Sequence, residues 1–325
     1  MKIKTRLPIL FILTGLLLLA AIFSLSEGPS PVSLKDILSY GSSAGTILWR
    51  IRLPRVLIAI SAGASLSMAG VILQALFRNP LVEPYTLGLS GGASLGVSLS
   101  LLLRLNYRIG SISYPLSGFA GALIVIVFLY SVSIKRGMLR LQGLLLTGVM
   151  ISFISSSLIM FIMAVSKIED LHGIIYWMMG SLDETDWTLI AISLSLSVLC
   201  LFILFFKSLE LNALLLGEEE AHHLGIEVEP LKRTLFLIAS VLTGVTVSIT
   251  GIIGFVGLVV PHIIRYLSGP DHRFLIPGAF LGGGLFLLIS DTIARTIISP
   301  LELPVGVITG ITGGGLFIYI LMRKR

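Results

Sequence analysis

Along this chain, apolar runs alternate with short clusters of proline, glycine and charge, and many of the runs reach about 20 residues, the length a helix needs to cross a bilayer. Cutting at the clusters gives ten predicted helices, at 7 to 26, 53 to 76, 83 to 103, 114 to 134, 141 to 165, 188 to 206, 232 to 250, 252 to 267, 274 to 298 and 304 to 322. The cut at Gly251 is the weakest, because residues 234 to 267 also read as one kinked helix, which would leave nine. No low-complexity tract or soluble second domain separates the runs. Residues 1–325 are therefore read as a single integral membrane domain, all-α and polytopic, with the lipid bilayer as its surroundings. The first run, LPILFILTGLLLLAAIFSLS, follows a basic start. It is too long for the roughly 7 to 15 residues of a secretory h-region, so it is predicted to be a membrane helix rather than a signal peptide.

Composition agrees with the pattern. Of the 325 residues, 55% are apolar and 12% charged, against roughly 25% charged in soluble domains. A net charge of +6 would suit nucleic acid, but the basic residues fall between apolar runs rather than in one patch, which argues for a membrane and against nucleic acid. With ten spans, the side holding both termini carries most of the 23 Lys and Arg, including Arg78, Arg140, Lys207, Lys232, Arg233 and the C-terminal RKR. Both termini are thus predicted to be cytoplasmic. The single cysteine, Cys200, lies inside an apolar run, so a disulfide framework and a cysteine-based metal site are both ruled out. No metal site and no cofactor are predicted.

In this orientation the longest outer loop is 27 to 52, where VSLKDILSY reads as a short amphipathic helix at the interface. The longest cytoplasmic loop is 207 to 231. Glycine is abundant, 34 residues in all, and recurs at helical spacing late in the chain at Gly278 and Gly282, then at Gly306, Gly310 and Gly314. Small residues so spaced let helix backbones approach closely in lipid; a role in lining a path is the alternative.

Several chemistries are missing. A phosphate-cradling G-x-x-x-x-G-K-[ST] loop is absent, the nearest stretch being GGASLG at 91 to 96 with no lysine after it, and there is neither an H-E-x-x-H motif nor a usable G-x-S-x-G. The chain is read as non-enzymatic, with no catalytic residues. Ion-coupled carriers place carboxylates or histidines at mid-membrane depth, whereas the one strong intramembrane acid here is Asp291. It stands four residues before Arg295, the favourable order for an ion pair on one helix face, and a structural pair and a transport or docking role both remain open.

The cytoplasmic loop contains LGEEEAHHLGIEVEP at 216 to 230, a polar island with good helix formers before Gly225. A short docking helix for a cytoplasmic partner is the favoured reading. A plain solvated helix and a metal site from Glu218/His222 or Glu219/His223 at i, i+4 are the alternatives; two ligands on a solvated helix leave a coordination sphere unfilled.

The stretch EEAHHLG at 219 to 225 resembles the EAAxxxG loop of ABC importer permeases, with Glu220 where alanine is usual. Its company is more specific: WRIRLPR at 49 to 55, QALFRNPLVEPYTLG at 74 to 88, YWMMGSLDETDW at 176 to 187, GIIGFVGLVVPHIIR at 251 to 265, DTIAR at 291 to 295 and LPVGVITGITGG at 303 to 314. Together, and over nearly the whole chain, these motifs resemble the FecCD-type permease family, which imports iron chelates, haem and cobalamin. The resemblance implies a type II ABC importer permease with ten helices per subunit, a homodimer, two cytoplasmic ATPase subunits, an extracytoplasmic substrate-binding protein and a place in the cytoplasmic (inner) membrane. It implies as substrate a ferric siderophore, or cobalamin or haem, with an oxyanion such as molybdate as a further possibility. An ion-gradient carrier is the rival class. The resemblance assigns ATPase coupling to Glu218, Glu219, Glu220, His222, Leu224 and Gly225, with GPDHR at 269 to 273 as a second contact. It assigns docking of an acidic binding protein to Arg52, Arg55 and Arg295, for which headgroup contact is the alternative, and Arg50 is an adjunct. The path is expected along the fifth span and its neighbours, at Gly91, Gly92, Ala93, Ser152, Ser155 and Ser156. Tyr176, Trp177 and Trp187 are read as an interfacial aromatic belt.

Overall fold

A computed structural model describes residues 6–28, 43–135 and 137–323. The helices are, in chain order, α1 (Leu7–Ser26), α2 (Ser43–Ile47), α3 (Leu53–Leu76), α4 (Leu89–Leu102), α5 (Asn106–Ile109), α6 (Ser113–Ser133), α7 (Leu141–Val165), α8 (Ile168–Met178), α9 (Trp187–Phe206), α10 (Ser208–Leu214), α11 (Glu218–His223), α12 (Val228–Thr250), α13 (Val256–Ser268), α14 (His272–Thr296) and α15 (Val305–Arg323). A π-helical turn, Leu48–Arg52, runs into α3, and a 3₁₀ turn, Pro84–Leu87, leads into α4. Between α6 and α7 the chain makes a small antiparallel hairpin, β1 (Ile134–Lys135) with β2 (Met138–Leu139), in which Ile134 pairs with Leu139. The predicted amphipathic helix at 32 to 40 lies outside the described residues.

The ten predicted spans are all helices. Among the described residues seven helical segments are long and apolar enough to cross a membrane, and three shorter apolar ones, α4, α13 and α15, occupy the remaining predicted positions. The all-α, polytopic expectation is met. The uncertain cut at Gly251 is a true break: Gly251 has φ +69°, Phe255 has φ +68°, and the residues between them leave the helix. Two residues with positive φ within five positions cannot sit inside a right-handed helix. At the start of α9 the Asp186 carboxylate accepts the Thr188 backbone N–H at 2.7 Å, and this bond holds its pKa below the usual carboxylate range.

The chain forms two compact units. The first comprises Met1–Val71, Ser181–Ser208 and Ile253–Arg325. Here backbones cross with no room for side chains: a Cβ on Gly63 would overlap the Gly283 carbonyl oxygen and one on Gly283 the Gly63 oxygen, while a Cβ on Gly70 would overlap the oxygen of Gly257. Such crossings let van der Waals contact hold helices together in lipid. Ser61 and Ser193 add a hydrogen bond of 2.9 Å between α3 and α9. Gly278 and Gly282 receive the side chain of Ile264 from α13, as their spacing suggested. In α15 the tightly packed glycine is Gly313, against Phe255 Cβ, whereas Gly310 faces open space and Gly314 makes only ordinary contact.

The second unit comprises Ile72–Gly180 and Leu209–Ile252. Its closest crossing joins α4 to α6 at Gly92 and Gly121, with Gly96 against Ser117. α4 also meets α7, where Gly148 abuts Thr86 and Leu87 at the turn before α4. The three residues of the expected aromatic belt differ in exposure, and Trp187 is exposed. Tyr176 is exposed, but Trp177 packs against the interior groups around Val97 and Ile174 and around Ala93 and Val247.

Candidate functional site

Three groups of predicted site residues sit in different places. The arginines Arg52, Arg55 and Arg295 gather in the first unit at the start of α3 and the end of α14, and all three are buried. Asp291, which is 0% exposed, is their hub: it accepts from Arg55 Nε at 2.9 Å and from Arg295 Nε at 3.0 Å. The i, i+4 pair read from the sequence therefore exists and is shared with a third residue. Arg55 Nη1 also reaches Glu302 at 2.7 Å and Asp183 at 2.5 Å. Both of these acids face solvent, with side-chain exposures of 35% and 47%. Arg295 and Arg52 have a further task. The carbonyls of the last turn of α1 lack intrahelical partners; Arg52 donates to Leu25 and Ser26 at 2.8 and 2.7 Å, and Arg295 donates to Ser24 and Glu27 at 3.3 and 3.2 Å. Two cations at the negative end of a helix dipole are favourably placed.

The polar island folds as predicted, into a short helix. α11 starts at Gly217 and ends where Gly225, with φ +83°, lets the Ile226 N–H turn back to the Ala221 carbonyl at 3.1 Å. Ala221 is fully buried and anchors the helix, while Glu219, Glu220, His222 and Leu224 are exposed. Leu224 is 64% exposed and has exposed Leu215 and Leu216 for company nearby in the chain. An apolar side chain among acids on an exposed helix is the composition of an interaction surface. Glu218 departs from its neighbours by accepting from Lys232 Nζ at 3.0 Å. In the first unit, Asp271 of GPDHR caps α14 by accepting the Arg273 N–H and pairs with Arg6 at 3.1 Å.

Of the predicted path residues, Gly91, Ser152 and Ser155 come together at the contact of α4 with α7: a Cβ on Gly91 would stand 3.0 Å from Ser155 Cβ and 3.5 Å from Ser152 Cα. Gly92 and Ala93 turn elsewhere, Gly92 to Gly121 and Ala93 to a core group with Ala122 and Val247. Ser156 and its neighbour Ser157 are exposed in mid-helix, on a helix whose only buried residues are Leu144, Gly148, Ser155, Ile159 and Ile162. α7 therefore packs along a single stripe and offers hydroxyls on its open side. An apolar cavity of about 430 Å³ lies beside the seam, lined by Gly92, Gly96, Gly121, Ile124, Ile151 and Ser155 among others. Among the described residues no three His, Cys, Asp or Glu side chains converge as metal ligands.

The sequence profile of the FecCD transport family matches residues 16–323. The chain belongs to that family. Family members similar to it include the hemin transport system permease protein HmuU of Yersinia pestis, 37% identical over 100% of this chain and 98% of that protein. The vitamin B12 import system permease protein BtuC of Shigella boydii is 38% identical over 97% of this chain and 95% of that protein. Among solved structures, a metal-chelate type ABC transporter in an inward-facing conformation superposes with a TM-score of 0.88 at 32% identity, over 97% of this chain and 99% of that one. The chain is thus a multi-pass ABC permease.

Sequence reasoning missed Asp183, Glu302, Lys232 and Glu229. Each was visible as a charge near the end of an apolar run, and Glu229 and Lys232 share a helix face, but the further partners lie in other elements: 14 residues away for Lys232 and Glu218, 247 for Arg55 and Glu302.

Proposed function

We propose that this chain is the membrane-spanning subunit of an ABC importer for metal chelates, moving a haem, cobalamin or ferric-siderophore class of substrate into the cytoplasm. On this reading residues 1–325 act as one permease domain in the cytoplasmic membrane with both termini inside. Two copies pair around a shared path, and ATP hydrolysis belongs to two separate cytoplasmic subunits. The observation that carries the proposal is α11, a helix anchored by one buried alanine that presents Glu219, Glu220, His222 and Leu224 outward. A rigid, satisfied element of this kind passes on a push from a partner, where a floppy loop would absorb it. Glu218, with its carboxylate on Lys232, and Gly225, with its left-handed turn, fix the two ends of that element.

The path reading draws support from α7. Mid-helix hydroxyls at Ser156 and Ser157 face away from the packed stripe, with Ser152 at the α4 contact beside them, and weakly interacting small groups suit a conduit that must release what it carries. Gly91 and Ser155 sit at the seam behind them, and Gly92 and Ala93 support that seam from the other face of α4. At the arginine cluster, Arg55 holds two solvent-facing acids, Asp183 and Glu302. An acidic residue on a docked binding protein takes their place on Arg55, with Arg52 and Arg295 behind it supplying positive potential.

The test is transport by the reassembled importer. Proteoliposomes holding this chain with its ATPase and binding protein are expected to accumulate labelled haemin, cyanocobalamin or a ferric siderophore only with ATP inside the ATPase compartment. Uptake of these probes by the chain alone, driven by a proton or sodium gradient, would overturn the proposal.

A further inference from the structure

Lys232 is the most deeply buried lysine described in the chain, with a side chain 3% exposed, and it sits in the first turns of α12 between two carboxylates. Its Nζ lies 3.0 Å from Glu218 Oε2 on α11 and 2.6 Å from Glu229 Oε1 on α12 itself. The other oxygen of Glu229 accepts the backbone N–H of Leu139, in β2, at 2.8 Å. One residue further along α12, the Arg233 guanidinium donates to the carbonyl of Gly137 at the hairpin turn. The outcome is an unbroken chain of charge-assisted bonds running from α11 through α12 to the hairpin. Leu139 is buried, and Leu141, two residues on, begins α7.

A buried ammonium is tolerated only when its charge is matched, and removing one member of such a set leaves an uncompensated charge behind. The pairing also has direction, because bonds to ionised groups are short and geometrically demanding. A hydrophobic contact at this place would slide; this set fixes the separation between α11 and the hairpin. Beside it lies open space, a cavity of about 650 Å³ lined by Arg78, Met138, Arg140, Gln142, Glu218 and Lys232 among others. The hairpin and the first turn of α7 thus have room to move on one side and a rigid strap on the other. The start of α7 in turn bears on the turn before α4, where Gly148 meets Leu87 and Gly88 meets the Gly148 carbonyl.

We infer that Lys232 and Glu229 are positioning residues of the transport cycle: they strap the ATPase-facing helix α11 to the hairpin at 134–139, so that displacement of α11 is delivered to the start of α7. The inference rests on the importer reading and adds to it a route from α11 to α7. Lys232 and Glu229 touch neither the ATPase nor the substrate. They act through the hairpin, and their loss separates ATPase attachment from movement at α7.

The experiment uses the assembled complex, with Cys200→Ser to remove the native thiol and spin labels at Met138→Cys in the hairpin and Tyr107→Cys in α5, both exposed positions. The distance between the labels is read with and without ATP and vanadate, so no knowledge of the substrate is needed. The parent complex is expected to show a nucleotide-dependent shift. Lys232→Met and Glu229→Leu are expected to lose that shift while the ATPase stays bound and hydrolyses ATP, and Lys232→Arg to keep it. Glu229→Gln is the control for folding and is expected to keep the shift, since an amide oxygen still accepts from the Leu139 N–H. A shift that persists in both Lys232→Met and Glu229→Leu, or is missing from the parent complex with ATPase attached, overturns the strap and leaves the importer reading standing. A parent chain that binds no ATPase overturns both.

Discussion

Arg55 and Asp291 meet at 2.9 Å although 236 residues separate them in the chain, and Asp291 simultaneously holds Arg295. One carboxylate without solvent contact thus fixes two guanidinium groups, and with them the start of α3, the end of α14 and the last turn of α1. Breaking a buried pair from one side costs about 3–5 kcal/mol, because the partners stay charged and dry. Asp291→Asn is accordingly expected to lower the unfolding temperature of the detergent-solubilised chain sharply, whereas Asp183→Asn, at a solvent-facing position, lowers it little. Thermal unfolding followed by intrinsic fluorescence compares the two, and equal stabilities would deny Asp291 its place at the hub.

If Arg55 is the group that an acidic binding protein engages, then Asp183 and Glu302 compete for it. Their removal leaves the arginine more available. The double substitution Asp183→Asn, Glu302→Gln is expected to tighten binding-protein association several-fold and to steepen its salt dependence. Surface plasmon resonance on immobilised permease reads both effects. Unchanged affinity together with an unchanged salt slope would place docking elsewhere.

Exposed acids on α11 give a second, independent test. Glu219→Lys with Glu220→Lys reverses charge on a surface whose fold depends on Ala221 and Gly225 instead. The variant is expected to elute as the wild-type does on size exclusion yet to lose the ATPase from its pull-down. Retention of the ATPase at equal stoichiometry would remove α11 from the interface.

Close backbone crossings make a sharp contrast between glycines. Gly283→Val drives a branched side chain into the Gly63 carbonyl and is expected to abolish monodisperse recovery, while Gly310→Ala, with open space around its Cα, leaves recovery of the subunit unchanged. Overpacking of well-packed contacts costs roughly 1–3 kcal/mol or more. Fluorescence-detected size exclusion of tagged variants separates these outcomes.

The membrane spans were legible in the sequence because apolar length is a one-dimensional property. Residues 141 to 165 were bounded correctly at both ends, and the break at Gly251 followed from a glycine-rich join and a charge count. The i, i+4 pair of Asp291 and Arg295 was legible for the same reason, since both residues ride one helix. Arg55 on that same acid was not, nor was Lys232 between Glu218 and Glu229 as a set, because sequence does not say which helices are neighbours. Glycine spacing behaved likewise. Gly278 and Gly282 pack as their spacing implied, but in α15 Gly313 takes the contact expected of Gly310, since the position of Phe255 decides it. Trp177, read as interfacial, is partly covered by neighbouring side chains, a contact invisible in the sequence because an aromatic at the end of an apolar run looks the same whether lipid or protein covers it.

The central claim is that this chain conducts while a separate subunit burns ATP, and native mass spectrometry of the chain purified from its own membrane in mild detergent tests it most directly. The expected particle holds two copies of this chain with two copies of a subunit whose peptides carry a phosphate-binding P-loop. A chain that flies alone at every detergent concentration, from membranes in which an ion gradient drives chelate uptake without ATP, would contradict the account.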